Sequence, residues 1–230
     1  FYLTISSTQF IFVVGMAGKI NQKNILSFAY SLRPMSIDDL DQISSIERVS
    51  FPTLWPPTSY RKEIDNKIAE YIVCIRDGEY LTVQRQRKDW RRLFRKNLPP
   101  ITVKKRLVVG FLGIWYMGGE AHIVTVAVRE EYRGQGIGEL LLIGSLELGA
   151  ARSSQVVTLE ARVSNEIAKA LYAKYGFFEA GMRRRYYSDN NEDAVIMTTP
   201  DLVSAEYQQF LSEKKKEFEA RYGVNIREYL

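Results

Sequence analysis

Apolar residues in this chain fall into short runs with strand character, separated by segments with helical spacing. Runs rich in β-branched and aromatic residues predict strands, and they cover 28–33, 71–75, 107–116, 121–128 and 156–160. Apolar positions three or four residues apart predict helices, which begin after Ser36, after Thr58 or Ser59, at Glu139, at Asn165 and at Asp201. Residues 182–187 and 194–197 predict a final hairpin. Strands come first and then alternate with helices, which predicts one mixed α/β domain.

Three stretches interrupt this pattern in the first half of the chain. Phe51–Pro57 contains three prolines, so we expect a stiff aromatic loop there. Asp77–Gly78 is typical of a tight hairpin turn, after which Leu81–Val83 starts a return strand. Residues from about 84 to 106 are strongly basic and separate this strand from the next one.

The pattern divides the chain into three parts. We expect residues 1–27 to be an extension outside the domain, with a transit segment as the alternative. Residues 28–200 form the predicted domain, with the basic stretch as an insertion, and residues 201–230 a carboxy-terminal helix. The apolar run 10–17 is shorter than the roughly 20 residues that span a bilayer and follows no basic residue. We therefore predict no membrane anchor.

Composition narrows the class of protein. Hydrophobic residues make up 46% and charged residues 26% of the 230 positions, which is typical of a folded globular chain. The single cysteine, Cys74, excludes an internal disulfide and favours a reducing compartment, the cytoplasm or alternatively a plastid. The single histidine, His122, excludes a site built from several histidines, and we predict no bound metal. The net charge of +5 indicates an acidic partner without identifying it.

A glycine-rich segment joins a predicted strand to an apolar helix. It reads Arg133-Gly134-Gln135-Gly136-Ile137-Gly138. Glycines let backbone amides approach a ligand closely, and a helix start adds free N–H groups, so a phosphate or diphosphate is the expected ligand. Glu139 stands where a dinucleotide fingerprint needs a glycine, and the Gly-Lys-Ser/Thr of a nucleoside-triphosphate loop is absent. The alternative is a plain strand-to-helix turn.

Several motifs occur in an order that resembles the GNAT N-acetyltransferases. Val126-Ala127-Val128 followed by Arg133-x-x-Gly136-x-Gly138 is similar to the acetyl-coenzyme A motif of that family. Residues 159–165 and 170–177 are similar to the second half of its core. Residues 183–187 and 191–197 resemble one branch, the ribosomal-protein alanine N-acetyltransferases or RimI-like group. The resemblance is dense from about 121 to 197 and looser from 32 to 83.

The resemblance implies a fold, a cofactor and a set of binding residues. The fold is α/β (α+β), with a mixed central sheet that is flanked by helices and splayed between its fourth and fifth strands, and acetyl-coenzyme A lies in the gap. The implied cofactor-binding residues are Val126, Ala127, Val128, Arg133, Gly134, Gln135, Gly136, Ile137, Gly138, Glu139 and Asn165. Phe51, Trp55 and Tyr187 are the implied substrate-binding residues, on two walls that favour a peptide amino terminus. The segment 54–57 is longer than the pattern of the branch, which leaves the peptide side open.

The resemblance also implies two catalytic residues, Glu160 as general base and Tyr172 as general acid. An α-amine with a pKa of about 7.7–8.0 must lose a proton before it attacks a thioester, and the departing thiolate benefits from a proton donor. On residue patterns alone, Glu160 would more often be a surface carboxylate paired with Arg162, and Tyr172 a packing residue. We expect His122 to be a strand-end residue rather than a catalyst, and Cys74 to be inert packing.

These features predict an enzyme that transfers acetyl directly from acetyl-coenzyme A to a protein amino-terminal α-amine. The resemblance alone implies an alanine-starting ribosomal protein as the substrate. One alternative is a broader acetyltransferase for α-amines and lysines, or for small amines. Another is an RNA- or ribosome-binding protein with a non-catalytic domain, because Trp90, Leu93 and Phe94 interleave the basic residues. The basic stretch could equally be a solvated loop.

Overall fold

The computed structural model describes residues 29–51, 58–85 and 101–229. Its strands form one sheet in the order β1-β2-β3-β4-β5-β7-β6. The strands are β1 (Tyr30–Pro34), β2 (Ala69–Arg85), β3 (Ile101–Met117), β4 (Glu120–Val128), β5 (Val156–Arg162), β6 (Phe178–Tyr187) and β7 (Glu192–Thr198). The interpretations of residues 1–27, of Trp55 and of the middle of the basic stretch lie outside the described residues.

Helices cover both faces of this sheet. They are α1 (Leu40–Ser50), α2 (Tyr60–Ile64), α3 (Ile137–Ala151), α4 (Glu166–Lys174) and α5 (Ala205–Tyr222). Side chains alternate between the faces of a strand, so that Val73 joins the apolar cluster with α1 and α2, whereas Cys74 joins the larger cluster with α3, α4 and α5. Cys74 is fully buried there, as its apolar strand predicted.

The sheet opens between β4 and β5. These strands run parallel and pair from Glu120–Val156 to Ile123–Leu159. Beyond that point β4 continues to Val128 alongside β3, while β5 continues alongside β7. The remaining neighbours in the described sheet are antiparallel. The predicted mixed sheet, splayed between its fourth and fifth strands, is confirmed.

The predicted tight turn at Asp77–Gly78 is wrong. β2 passes through it as one strand, and Asp77–Glu79 bulge out between the pairs Arg76–Leu107 and Tyr80–Arg106. Gly78 has a φ of 77°, a left-handed value that a bulge needs as much as a turn does. The predicted return strand is therefore the far half of β2, and residues 101–106 of the basic stretch belong to β3.

The carboxy-terminal helix packs against α3 and α4. Tyr207, Leu211 and Phe218 of α5 are buried. After α5 the chain reaches β1, where Leu32 N–H donates to Ile226 O and Glu228 N–H donates to Leu32 O. Within the described ranges, each helix is too short or too polar to cross a membrane.

Candidate active site

A cavity of about 940 Å³ lies where β4 and β5 separate. Residues from β2, β3, β4, β5, β6, α1, α2 and α4 line it. The lining includes these residues predicted from the sequence: Phe51, Val126, Glu160, Asn165, Tyr172 and Tyr187. Both residues predicted as catalytic therefore face one cavity. The remaining predicted cofactor residues lie further along β4, on the loop that leads into α3 and in the first turn of α3.

Glu160 lies near the end of β5 with its carboxylate buried; its side chain is 7% exposed. His122 Nε2 lies 3.0 Å from Glu160 Oε2, and Arg183 approaches Oε1 at 3.0 Å. Thr158 is two residues before Glu160 and so shares its face of the strand. The Thr158 hydroxyl lies 2.8 Å from His122 Nδ1, so both imidazole nitrogens are bound.

The surroundings of Glu160 keep it ionised. Burial raises the pKa of Glu160, but the hydrogen bond from His122, together with the charges of His122 and Arg183, holds it below its usual value. Arg162, the partner suggested by sequence spacing, bonds instead to Asp189 at 2.8 Å and to Glu192 at 3.0 Å. The interpretation of Glu160 as a surface carboxylate paired with Arg162 is wrong.

His122 is the site residue that sequence reasoning missed. It lies near the start of β4, as predicted, but its side chain lines the cavity and contacts Glu160. No local signal in the sequence marks this contact, because His122 lies near the start of β4 and Glu160 near the end of β5, and the register of the two strands brings them together. Imidazole is the side chain most often used for proton transfer near neutral pH.

Tyr172 combines packing with access to the cavity. It is buried on α4, with its ring centroid 5.8 Å from that of Phe177. Burial raises the pKa of Tyr172 to about 12, so the phenol keeps its proton at neutral pH. A protonated phenol beside the cavity is a suitable hydrogen-bond donor to a developing anion.

The glycine loop has the geometry of an anion cradle. Gly134 and Gly136 have φ values of 75° and 83°, in the left-handed region that favours glycine. A Cβ on Gly134 would meet open space. Gly136 precedes the first residue of α3 and has no side chain that could accept a hydrogen bond, so the first backbone N–H groups of the helix remain available to a ligand. Backbone donors at a helix start suit the diphosphate of coenzyme A, and the residues present therefore fit that group.

Other side chains of this loop are bound within the protein. Gln135 Oε1 accepts a hydrogen bond from Tyr30 at 2.5 Å, and Arg133 Nε donates to Val128 O at 3.3 Å. Glu139 accepts from Tyr175 at 2.7 Å and pairs with Lys174, while Ile137 is buried. The groups of Gln135, Ile137 and Glu139 that remain for a ligand are therefore their backbone N–H groups. The predicted cofactor contacts of these three residues are limited to the backbone.

The strand and helix that border the cavity supply further polar groups. The pairing of β4 with β5 ends before Val126, and Val126 lines the cavity. Ala127 is buried in the apolar cluster with α1, and Val128 is half-buried. Asn165 begins α4, where its Oδ1 accepts from Ala168 N–H at 3.2 Å. Asn165 also lines the cavity.

Two of the residues predicted to bind the substrate, Phe51 and Tyr187, are aromatic residues that the structure describes. Phe51 ends α1 and Tyr187 ends β6, and both line the cavity. The Arg162 guanidinium stacks on Tyr187 with its carbon 3.9 Å from the ring centroid, which fixes this wall. The third predicted substrate residue, Trp55, lies outside the described residues.

Comparison with known proteins agrees with this geometry. Residues 40–177 match the model of the acetyltransferase (GNAT) family. A Bacillus subtilis (strain 168) protein, provisionally named a [ribosomal protein bS18]-alanine N-acetyltransferase, is 33% identical over 168 residues, covering 73% of this chain and 93% of its own length. An N-alpha-acetyltransferase of Sulfurisphaera tokodaii is 34% identical over 172 residues, or 74% of this chain and 93% of its own.

A solved structure shows the same fold. The crystal structure of the ribosomal-protein-S18-alanine N-acetyltransferase from Escherichia coli superposes with a TM-score of 0.57 at 25% identity. That alignment covers 77% of this chain and 97% of the other. Fold and site together define an acyltransferase that uses a coenzyme A thioester. The chain belongs to the GNAT family and is an N-acetyltransferase with acetyl-coenzyme A as its co-substrate.

Proposed function

We propose that this enzyme acetylates the α-amine of a protein amino terminus, with an alanine-starting ribosomal protein as its substrate. The observation that carries the proposal is that the Glu160–His122 pair and the Tyr172 phenol face one cavity at the split in the sheet. The pair can accept a proton and the phenol can donate one, as amine attack on a thioester requires.

The catalytic steps follow from these groups. An α-amine is mostly protonated at neutral pH, so the Glu160 carboxylate, held in place by His122, first takes a proton and leaves the nitrogen lone pair free. The nitrogen then forms the bond to the acetyl carbon and releases its second proton to solvent while the carbon–sulfur bond breaks. Tyr172 gives its proton to the departing sulfur and regains one from solvent. Backbone N–H groups near Val128 polarise the thioester carbonyl.

The binding residues follow the course of an extended co-substrate. In this proposal the backbone of Val126 and Val128 holds the pantetheine arm beside the open edge of β4, and the amides from Gly134 to Glu139 hold the diphosphate. Asn165 contributes its side-chain amide. Phe51 and Tyr187 border the acceptor amine.

Direct transfer is supported by the surroundings of Cys74. Its thiol is fully buried in β2, and burial raises the pKa of Cys74 well above its usual value. A buried, protonated thiol away from the cavity lining is a poor nucleophile. We therefore propose a ternary complex without an acyl-enzyme.

The names of the relatives support the choice of acceptor. One relative is named for alanine acetylation of the ribosomal protein bS18 and another as an N-alpha-acetyltransferase. Mass spectrometry of two peptides incubated with the enzyme and acetyl-coenzyme A tests this. One peptide has a free amino-terminal alanine; the other has that amine blocked and a lysine free. Acetylation of the first alone supports the proposal, and acetylation of the second alone contradicts it.

A second proposal concerns the basic stretch, which we infer to contact the ribosome or RNA. β2 and β3 pair beyond their bulge as far as Arg85 and Ile101, so the basic stretch joins the ends of a two-stranded arm, on which Lys104 is exposed. Replacing Arg91, Arg92 and Arg95 by alanine should weaken co-sedimentation with ribosomes at low salt. Unchanged co-sedimentation would dismiss the contact.

A further inference from the structure

The acceptor side of the cavity carries a set of carboxylates that the chemistry above does not use. Glu47, Glu63 and Glu120 line it, and we call them the acidic wall. Glu47 is buried and accepts a hydrogen bond from Tyr60 at 2.8 Å. Glu63 accepts one from Trp115 Nε1 at 2.8 Å. These donors are neutral, so they orient the carboxylates without compensating their charge.

The cations that line the cavity are bound elsewhere. Arg183 pairs with Glu160, and Arg162 pairs with Asp189 and Glu192. Throughout the described ranges, the acidic wall forms no ion pair with a lysine, arginine or histidine. Glu47 is buried, and a buried carboxylate without a counter-charge is costly. A ligand that brings a positive charge would remove that cost.

A second observation on the same side points to a ligand. Ser50 lies one turn after Glu47 on α1 and also lines the cavity. Its hydroxyl oxygen is buried and has no hydrogen-bond partner among the described residues. Buried polar atoms in folded proteins are nearly always satisfied. A donor that enters the acidic wall from a bound substrate would satisfy this oxygen as well.

The register of the sheet gives the distance from the base to the acidic wall. Trp115, His122 and Thr158 are direct neighbours across β3, β4 and β5. Neighbouring strands lie about 4.8 Å apart, so the distance from Trp115 to Thr158 is roughly 10 Å. Glu63 is hydrogen-bonded to Trp115 at one end of this row, and Glu160 lies next to Thr158 at the other. An extended peptide advances about 3.3 Å per residue. With its amine at Glu160, the backbone of its second and third residues therefore lies about 3–7 Å short of Glu63.

We propose that the acidic wall, through Glu63 with Glu47 behind it, selects protein amino termini that carry lysine or arginine at their second or third residue. This inference rests on the proposed function, since it needs the acceptor α-amine at Glu160. A lysine or arginine side chain is long enough to cover the remaining gap and supplies several N–H donors. The same chemistry would recognise a polyamine, and the experiment separates the two.

The test compares three peptides that begin with alanine and differ at positions two and three, which are both lysine, both glutamine or both glutamate. With the wild-type enzyme we expect kcat/KM to be about tenfold higher for lysine than for glutamine, mainly through KM, and lower still for glutamate. In Glu63→Gln the preference for lysine should shrink to about threefold or less, because a neutral amide gives up the charge component of the contact. Glu206→Gln, an exposed change on α5, is the matched control and should keep the preference.

The wild-type enzyme provides a measurement that needs no variant to fold. Raising the salt from about 0.05 to 0.5 M should reduce the preference for the lysine peptide, since salt screens charge pairs that solvent reaches. Equal rates for all three peptides would overturn the inference and leave α-amine acetylation standing. A preference for lysine that Glu63→Gln leaves unchanged would overturn it too, as would acetylation of spermidine in preference to every peptide. Failure of every peptide with coenzyme A still bound would overturn the proposed function itself.

Discussion

His122 Nε2 lies 3.0 Å from Glu160 Oε2, across the boundary between β4 and β5 where the sheet begins to open. The contact joins two strands at the point where their ladder ends, so a substrate amine in the gap meets both side chains. In the proposed mechanism these two residues act as one unit, with Thr158 behind the imidazole and Arg183 beside the carboxylate.

Removing the charge of Glu160 should reduce turnover with little effect on the co-substrate. Glu160→Gln preserves the shape of the side chain, and general-base catalysis contributes about 10²–10⁴-fold. We expect kcat/KM for an alanine-starting peptide to fall by that factor while calorimetry shows coenzyme A binding unchanged. Glu206→Gln serves as the control, and wild-type turnover in Glu160→Gln would contradict the assignment of the base.

Removing the imidazole should change the titration of Glu160. The hydrogen bond and charge of His122 lower the pKa of Glu160 while burial raises it. In His122→Ala the lowering contribution is lost and the pKa of Glu160 should rise. The carboxylate must be ionised to act as a base, so activity should be lost at a higher pH than in the wild type as the solution is acidified. Carbon-13 NMR titration of labelled glutamate measures the shift, and an unmoved midpoint would exclude the coupling.

Tyr172→Phe should separate the role of the hydroxyl from that of the ring. The ring stays packed against Phe177, while the proton donor to the departing sulfur is lost. We expect kcat to fall about 100-fold with little change in the temperature of unfolding. Tyr207→Phe is the matched control, because the Tyr207 hydroxyl donates to Tyr175 O at 2.7 Å and takes no part in the cavity. That control should cost about 1 kcal/mol of stability and no turnover.

The second half of the domain could be predicted because its signals are local. Gly134 and Gly136 mark the strand-to-helix junction, and Asn165 begins a helix with its own side chain. The bulge at Asp77–Gly78 could not be predicted in the same way. The dipeptide suits a turn or a bulge equally, and what decides is the pairing of Tyr80 with Arg106, across the basic stretch.

The side-chain pairs of the site join residues that are far apart in the sequence. They could not be predicted from local patterns, just as the bulge could not. Sequence spacing suggested Arg162 as the partner of Glu160, two residues away. Neighbours two apart on a strand share a face, but a guanidinium bonds to whichever carboxylates the fold brings near. The hairpin of β6 and β7 supplies Asp189 and Glu192 to Arg162, and Arg183 to Glu160. Only the register of the sheet fixes those assignments.

The entry into α1 should depend on pH through Asp39. Burial acts to raise the pKa of Asp39, but Arg33, at 2.8 Å, and the backbone N–H of Ser36 outweigh it and hold the pKa below its usual value. A carboxyl with a lower pKa in the folded state stabilises the protein above the pKa of the unfolded state, about 3.9, and this stabilisation is lost as the pH falls through the folded value.

Asp39→Asn tests this dependence. The variant should lower the free energy of unfolding by about 1.5–3 kcal/mol at pH 7, the usual contribution of hydrogen bonds to charged groups. The gap between wild type and variant should narrow as the pH falls below about 4. Urea unfolding at a series of pH values measures it. A gap that is constant between pH 7 and pH 3 would show that the charge of Asp39 contributes nothing.

The glycine loop offers a test of how closely α5 packs on the co-substrate site. A Cβ on Gly136 would lie 2.9 Å from the ring of Tyr222, whereas a Cβ on Gly134 would meet nothing within 4 Å. Both residues have left-handed φ values, so alanine at either position costs about 1–2 kcal/mol of backbone strain. Gly136→Ala should cost more, and it should weaken coenzyme A binding more than Gly134→Ala does. In a Tyr222→Ala background, the cost of adding Gly136→Ala should fall to the value for Gly134→Ala. Chemical unfolding and calorimetry of the four variants measure these differences, and equal costs for Gly136→Ala in both backgrounds would show that Tyr222 does not press on the loop.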